Sequence, residues 1–278
     1  MKSTASTLIL NKGNFMTEQI LFVCPVCKQP LKLNNRSLVC SNGHSFDIAK
    51  QGYVNLLMSN KQGNHGDDKL MVNSRQSFLE KGFYAPMREK VNEILGSGST
   101  VLDAGCGEGY YTSLFAENNF VFGIDVSKEA LKKAAKKAPS ASFAVASIYE
   151  MPFSDSSLDV CINIFAPDSQ SEYLRVLKKG GRLIAVTPMA EHLMELKNVI
   201  YDNPYENPYV DPSKNGFEIL SSTNVKYNFT LDCNEDILNL FKMTPYYYNT
   251  SQKDRQKLDN LSSLDVNAAF LITEYKKI

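Results

Sequence analysis

No stretch of this 278-residue chain approaches the roughly 20 consecutive apolar residues needed to cross a bilayer, which excludes a helical membrane protein. The opening stretch, residues 1–15, contains one apolar triplet, Leu8-Ile9-Leu10, too short for the core of a signal peptide. The expected location is therefore cytoplasmic. Net charge is also missing: 30 Lys+Arg balance 30 Asp+Glu, which argues against a polybasic, histone-like binder. The balance is uneven along the chain, because residues 1–98 carry 12 Lys+Arg and 7 Asp+Glu, so nucleic acid would meet the N-terminal end first. A disulfide framework is absent, since three of the six cysteines share one spaced pattern and Cys106, Cys161 and Cys233 stand singly, as in a reducing compartment. No internal repeat is visible.

What the N-terminal end does hold is Cys24, Cys27, Cys40 and His44, in the pattern C-x2-C-x12-C-x3-H. A C-x2-C pair alone could be redox-active or incidental. A further Cys and His at knuckle spacing, in a short turn-rich segment, make one tetrahedral zinc ion the expectation. Four protein ligands would close the coordination sphere, so the ion is expected to be structural. The segment needs it, because thirty-odd residues bury little core unaided. A polar, glycine-containing stretch, Ser59 to Asp68, reads as a linker, and helical patterning resumes at about Lys69 and again from Met87 to Leu95.

Beyond Gly98 strands and helices alternate, the pattern of a doubly wound α/β sheet. Strands are expected at Thr100 to Ala104, Val121 to Ile124, Ser142 to Ala146, Leu158 to Phe165 and Arg182 to Thr187, with a late pair around Val225 to Leu231 and Ala268 to Tyr275. The first runs into Asp103-Ala104-Gly105-Cys106-Gly107-Glu108-Gly109, where glycines let the backbone approach a ligand and helix N–H groups point at it. Asp125 closes the second strand twenty residues after Gly105, placed to accept both hydroxyls of an adenosine ribose. With Met151-Pro152-Phe153 after the third strand and Lys178-Lys179-Gly180-Gly181 before the fifth, the series resembles the class I S-adenosylmethionine methyltransferases. That resemblance implies a Rossmann-like seven-stranded sheet with a reversed last strand.

A narrower resemblance covers about Phe22 to the C-terminus. It rests on the zinc quartet, His44-Ser45-Phe46-Asp47-Ile48-Ala49-Lys50-Gln51-Gly52-Tyr53-Val54-Asn55, Gly66-Asp67, Arg75, Gly82 and Tyr84, the glycine turn, Ala166-Pro167, His192-Leu193-Met194-Glu195-Leu196-Lys197 and Met243-Thr244-Pro245. In this combination the chain resembles the bacterial RlmA family, which methylates N1 of a guanine in a hairpin of 23S rRNA and is thought to act as a homodimer. The resemblance implies cofactor contacts at Tyr84, Gly107, Glu108 and His192, which join Asp103, Gly105 and Asp125, with Ser147 as a candidate for the adenine edge. Arg75, Tyr246 and Tyr248 are candidates for the RNA, the tyrosines to stack on an extruded base, although a tyrosine cluster can equally pack against the sheet. Asp168 stands by topology where a proton acceptor could sit. The expected division is a tail at 1–17, a zinc-binding RNA-recognition domain at 18–58, a linker with helices at 59–98 and the methyltransferase domain at 99–278. Two rivals stay open here: methylation of a small molecule or protein, and a zinc-dependent RNA-binding factor with an idle cofactor pocket.

Overall fold

The computed structural model describes residues 20–58 and 67–278. The expected tail at 1–17 and most of the expected linker lie outside the described residues. Three short antiparallel strands, β1 (Lys32–Asn34), β2 (Ser37–Val39) and β3 (Ser45–Asp47), form a ribbon around buried Leu31 and Leu38. The two knuckles are closed by backbone hydrogen bonds, Lys28 N–H to the Cys24 carbonyl at 2.8 Å and Gly43 N–H to the Cys40 carbonyl at 3.0 Å.

The next strand, β4 (Tyr53–Asn55), leaves the ribbon and adds an eighth member to the main sheet. The other members are β5 (Thr100–Ala104), β6 (Phe120–Asp125), β7 (Ser142–Val145), β8 (Leu158–Ile164), β9 (Leu177–Pro188), β10 (Phe217–Leu231) and β11 (Leu264–Lys277). Their order, β10-β11-β9-β8-β5-β6-β7-β4, contains the expected seven strands, with β11 running antiparallel between β9 and β10. The extra strand has a physical cause. Without it β7 would be a bare edge, and β4 pairs with it in parallel, Val54 opposite Ala144, while burying Tyr53 and Val54. The ribbon is seated on the same side of the sheet: Val23 N–H donates to the Pro152 carbonyl at 2.9 Å, and Phe22 packs its ring 5.4 Å from Phe122 and 5.3 Å from Phe153.

Nine α-helices are formed among the described residues: α1 (Lys69–Glu80), α2 (Ala85–Leu95), α3 (Tyr110–Phe115), α4 (Lys128–Lys137), α5 (Gln170–Val176), α6 (Met194–Ile200), α7 (Asn234–Lys242), α8 (Tyr246–Asn249) and α9 (Gln252–Arg255). Their ends follow from local chemistry. Asp68 caps α1 by accepting from Met71 N–H at 2.8 Å, and Ser127 caps α4 by accepting from Ala130 N–H at 3.3 Å. In α4 the alanines and Leu131 face the sheet while Glu129 opens the helix and Lys136 and Lys137 close it, charges that suit the helix dipole. Among the described residues no helix is long and apolar enough to cross a membrane.

Candidate active site and zinc centre

Strand order reverses between β5 and β8, and such a switch point leaves a crevice at the C-terminal ends of the strands. A cavity of about 740 Å³ opens there. Its floor is the glycine turn between β5 and α3. A Cβ on Gly105 would lie 2.5 Å from the Ala166 Cβ, and one on Gly109 would lie 2.8 Å from the Ala134 Cα, with both residues at φ near +80°. Only glycine lets the turn fit between the β8 loop and α4.

Carboxylates organise the floor. Asp125 accepts from Gly107 N–H at 3.0 Å and from Ser127 N–H at 2.8 Å, and burial raises its pKa against those two amides. Glu108 pairs with Arg75 at 2.8 Å, and Arg75 reaches Asp67 at 2.5 Å. Arg75, expected on the RNA side, is thus held at the glycine turn. Asp103 is fully buried, accepts from the Thr112 hydroxyl at 2.6 Å, and is pushed up by burial to about 7.

The Asp103 shift has a measurable consequence. An unfolded aspartate releases its proton near pH 4, whereas folded Asp103 keeps it until about 7, so between those values the unfolded state binds fewer protons and stability falls as pH rises. At about 1.4 kcal/mol per unit the loss amounts to roughly 4 kcal/mol and levels off above neutrality. Asp103→Asn cannot titrate. In urea unfolding, the stability difference between variant and wild type should shift in the variant's favour by about 3 kcal/mol between about pH 5 and about pH 8; an unchanged difference would refute the assignment.

One wall is aromatic. Tyr84 and His192 are buried, with the Tyr84 hydroxyl 3.4 Å from His192 Nε2. His192 Nδ1 accepts from Ala269 N–H at 3.2 Å, which assigns the ring proton to Nε2. Burial, with Lys197 nearby, holds its pKa down at about 3, so His192 is a neutral donor at physiological pH. Tyr246 also lines the cavity, linked to the His192 carbonyl through Asn207: it donates to Asn207 Oδ1 at 3.2 Å, and burial raises its pKa to about 12. Asn207 is fixed from all sides: Oδ1 also accepts from buried Lys197 Nζ at 2.8 Å, and Nδ2 donates to the carbonyls of Met189 at 2.8 Å and His192 at 3.3 Å.

The structure therefore brings Tyr84, Asp103, Gly105, Gly107, Glu108, Asp125, Ser147, His192, Arg75 and Tyr246 to one cavity. Two expected residues lie elsewhere. Asp168 turns away to pair with Lys214 at 2.6 Å, and Tyr248 is exposed and donates to Asp68 Oδ2 at 2.8 Å. Sequence reasoning did not single out Phe165 and Asn207, which line the cavity, or Lys197, which holds Asn207 from behind. For Lys197 a signal existed, since it ends the His192 to Lys197 block. Phe165 had none, because a strand was expected to run through it.

The zinc quartet forms a closed set. Its ligand atoms all lie within 4.8 Å of one another, with Cys27 and Cys40 Sγ 3.6 Å apart and His44 Nδ1 at 3.5 Å from Cys24 Sγ and 3.4 Å from Cys40 Sγ. A tetrahedral zinc with its usual bond lengths sets S···S near 3.8 Å and S···N near 3.6 Å, so the residues fit a structural Zn2+ with Nδ1 as the His44 ligand. Two thiols of the quartet shift in opposite directions without the metal: burial would raise Cys40 but the amides of His44 and Asn42 with its Cys27 and His44 contacts lower it to about 6, whereas burial raises Cys24.

The large cavity likewise fits S-adenosylmethionine: backbone at a glycine turn, an acid closing β6 for the ribose, and apolar surface at Val126 and Ile148 for the adenine. The family description "RlmA, N-terminal", a zinc ribbon, matches residues 22–63, and a methyltransferase domain matches residues 95–256. The chain is 31% identical over 265 residues to "Putative 23S rRNA (guanine-N(1)-)-methyltransferase YxjB" of Bacillus subtilis (strain 168), covering 88% of this chain and 93% of that one. It is 38% identical over 187 residues to "23S rRNA (guanine(748)-N(1))-methyltransferase" of Streptomyces fradiae, covering 64% of this chain and 66% of that one. A Micromonospora griseorubida protein, "Putative 23S rRNA (guanine-N(1)-)-methyltransferase", is 38% identical over 199 residues, covering 62% of this chain and 67% of that one. With the zinc ribbon, the methyltransferase domain and a relative matched across most of its length, the chain belongs to the RlmA family of 23S rRNA (guanine-N1)-methyltransferases.

Proposed function

We propose that this protein methylates N1 of one guanine in a hairpin of 23S rRNA, using S-adenosylmethionine, as a cytoplasmic homodimer. The observation that carries the reading is the seat of the zinc ribbon. Lys28 of the ribbon pairs with Glu150 at 2.6 Å, next to Tyr149, which lines the cofactor cavity and is 64% exposed. A module that bears Lys28, Lys32, Arg36 and Lys50 against Asp47 thus stands beside the mouth of the cavity, where a phosphate backbone would cross it.

When bound, S-adenosylmethionine supplies an already activated methyl group, so the protein's task is alignment. In this reading Asp125 would hold the ribose hydroxyls, and Gly107, Glu108, Tyr84 and His192, which line the same cavity, would hold the rest of the cofactor. The target N1 lies on the Watson–Crick edge and must leave its pair to react. The carboxylates that line the cavity, Asp67, Asp103, Glu108 and Asp125, all cluster at the glycine turn, and each is engaged there. The proton on N1 therefore passes to water at the open mouth.

Incubating the purified protein with a 23S rRNA transcript and S-adenosylmethionine, then copying the RNA with reverse transcriptase, tests the reading, because N1 methylation halts copying. A new stop at one hairpin guanine is expected. A profile identical to that of untreated RNA would overturn the rRNA assignment.

A further inference from the structure

We infer that Phe165 is the platform on which the extruded guanine stacks, a substrate-positioning residue at the end of β8; this rests on the proposed methylation of guanine N1. Phe165 holds a backbone conformation that bulky side chains avoid, φ +59°, the left-handed region usual for glycine. The ring lines the cavity and is 44% exposed. A strained backbone here holds an aromatic that stays 44% exposed and packs on one side only, against Phe270, and glycine at this position would relieve the strain.

The surroundings enforce that conformation. Asn163 is buried, accepts from Ala166 N–H at 3.1 Å, and donates to the Pro167 carbonyl at 3.0 Å and to the Tyr173 oxygen at 2.7 Å. Phe165 N–H reaches the Val186 carbonyl at 3.3 Å, and Ala166 is clamped against Gly105. The loop is thereby fixed at both ends with the phenyl ring turned to the cavity.

The ring also continues an aromatic wall. Buried Phe270 stands with its centroid 4.6 Å from His192, 5.0 Å from Tyr84 and 5.6 Å from Phe165. The wall runs from the pair beside the expected cofactor position to Phe165 at the accessible end. Every base offers a π-face for such stacking, so the platform holds a base without choosing it.

The test compares wild type, Phe165→Ala and Phe165→Tyr on the same 23S rRNA hairpin transcript, with cofactor affinity and melting temperature measured alongside. Loss of one base–aromatic stack should lower kcat/KM for RNA by about 10- to 100-fold in Phe165→Ala. Phe165→Tyr should restore most of it, and the cofactor Kd should stay within about twofold in both, because a stacking role does not touch cofactor binding. The Ala variant should melt no lower than wild type by more than a few degrees, which separates lost stacking from lost fold. Equal kcat/KM in wild type and Phe165→Ala, or a Tyr variant as impaired as the Ala variant, would overturn the platform and leave the rRNA reading standing. Wild type that leaves every guanine of the hairpin unmodified would overturn the rRNA reading itself, and the platform with it.

Discussion

Stripping the zinc, with a strong chelator or by Cys24→Ser, should abolish rRNA methylation while leaving cofactor affinity nearly intact. The ribbon buries little of its own: Leu31 and Leu38 at its centre are worth about 1.5–3 kcal/mol each, far less than the cost of ordering some 35 residues. A structural zinc supplies an apparent 10–16 kcal/mol or so at neutral pH, and without it three sulfurs and an imidazole nitrogen crowd within 4.8 Å with nothing between them. The cofactor cavity is lined by none of the four ligands. Metal analysis should therefore find one zinc per chain. After removal, the rate on the hairpin transcript should fall by about 100-fold or more, while the calorimetric Kd for S-adenosylmethionine moves by no more than about threefold. Zinc-depleted protein methylating at the original rate would show that the ribbon plays no part in catalysis on RNA.

The two centres were legible in the sequence because their chemistry dictates spacing. Tetrahedral ligation requires Cys24, Cys27, Cys40 and His44 on two tight turns, and the glycine turn must follow a strand and precede a helix. The seven principal strands followed from apolar runs alternating with helical periodicity. What escaped depends on partners distant in the chain. Tyr53–Asn55 falls inside the zinc-binding domain expected at 18–58, and only the bare edge of β7, some 90 residues later, draws it into the large sheet. Helix α7 was missed although its apolar residues Ile237, Leu240 and Phe241 are spaced for one face. Phe165 is the clearest case: its neighbours spell a strand, and the turn at its backbone comes from Asn163, Ala166 and Gly105 acting together. Tyr248 lies outside the cavity, exposed, with its hydroxyl donating to the carboxylate that caps α1, a placement set by Asp68 some 180 residues earlier in the chain.

Asp125→Ala should cost the protein its cofactor. The carboxylate has two duties: in the structure it fastens the glycine turn through Gly107 N–H and starts α4 through Ser127 N–H, and in the proposed complex it also accepts from the ribose diol. Charge-assisted hydrogen bonds contribute about 1.5–3 kcal/mol each, so losing two to the ribose should weaken binding by about 100-fold or more. Asp125→Asn removes the charge and keeps one brace, because its single amide oxygen can accept from Gly107 N–H or from Ser127 N–H while its NH2 faces the other. Its melting temperature should fall modestly below that of wild type, and its Kd for S-adenosylmethionine should fall between those of wild type and the Ala variant. Calorimetric titration reads all three proteins. If the Ala variant bound the cofactor within about threefold of wild type, Asp125 would be only a brace for the glycine turn, and the ribose would have to be held elsewhere in the cavity.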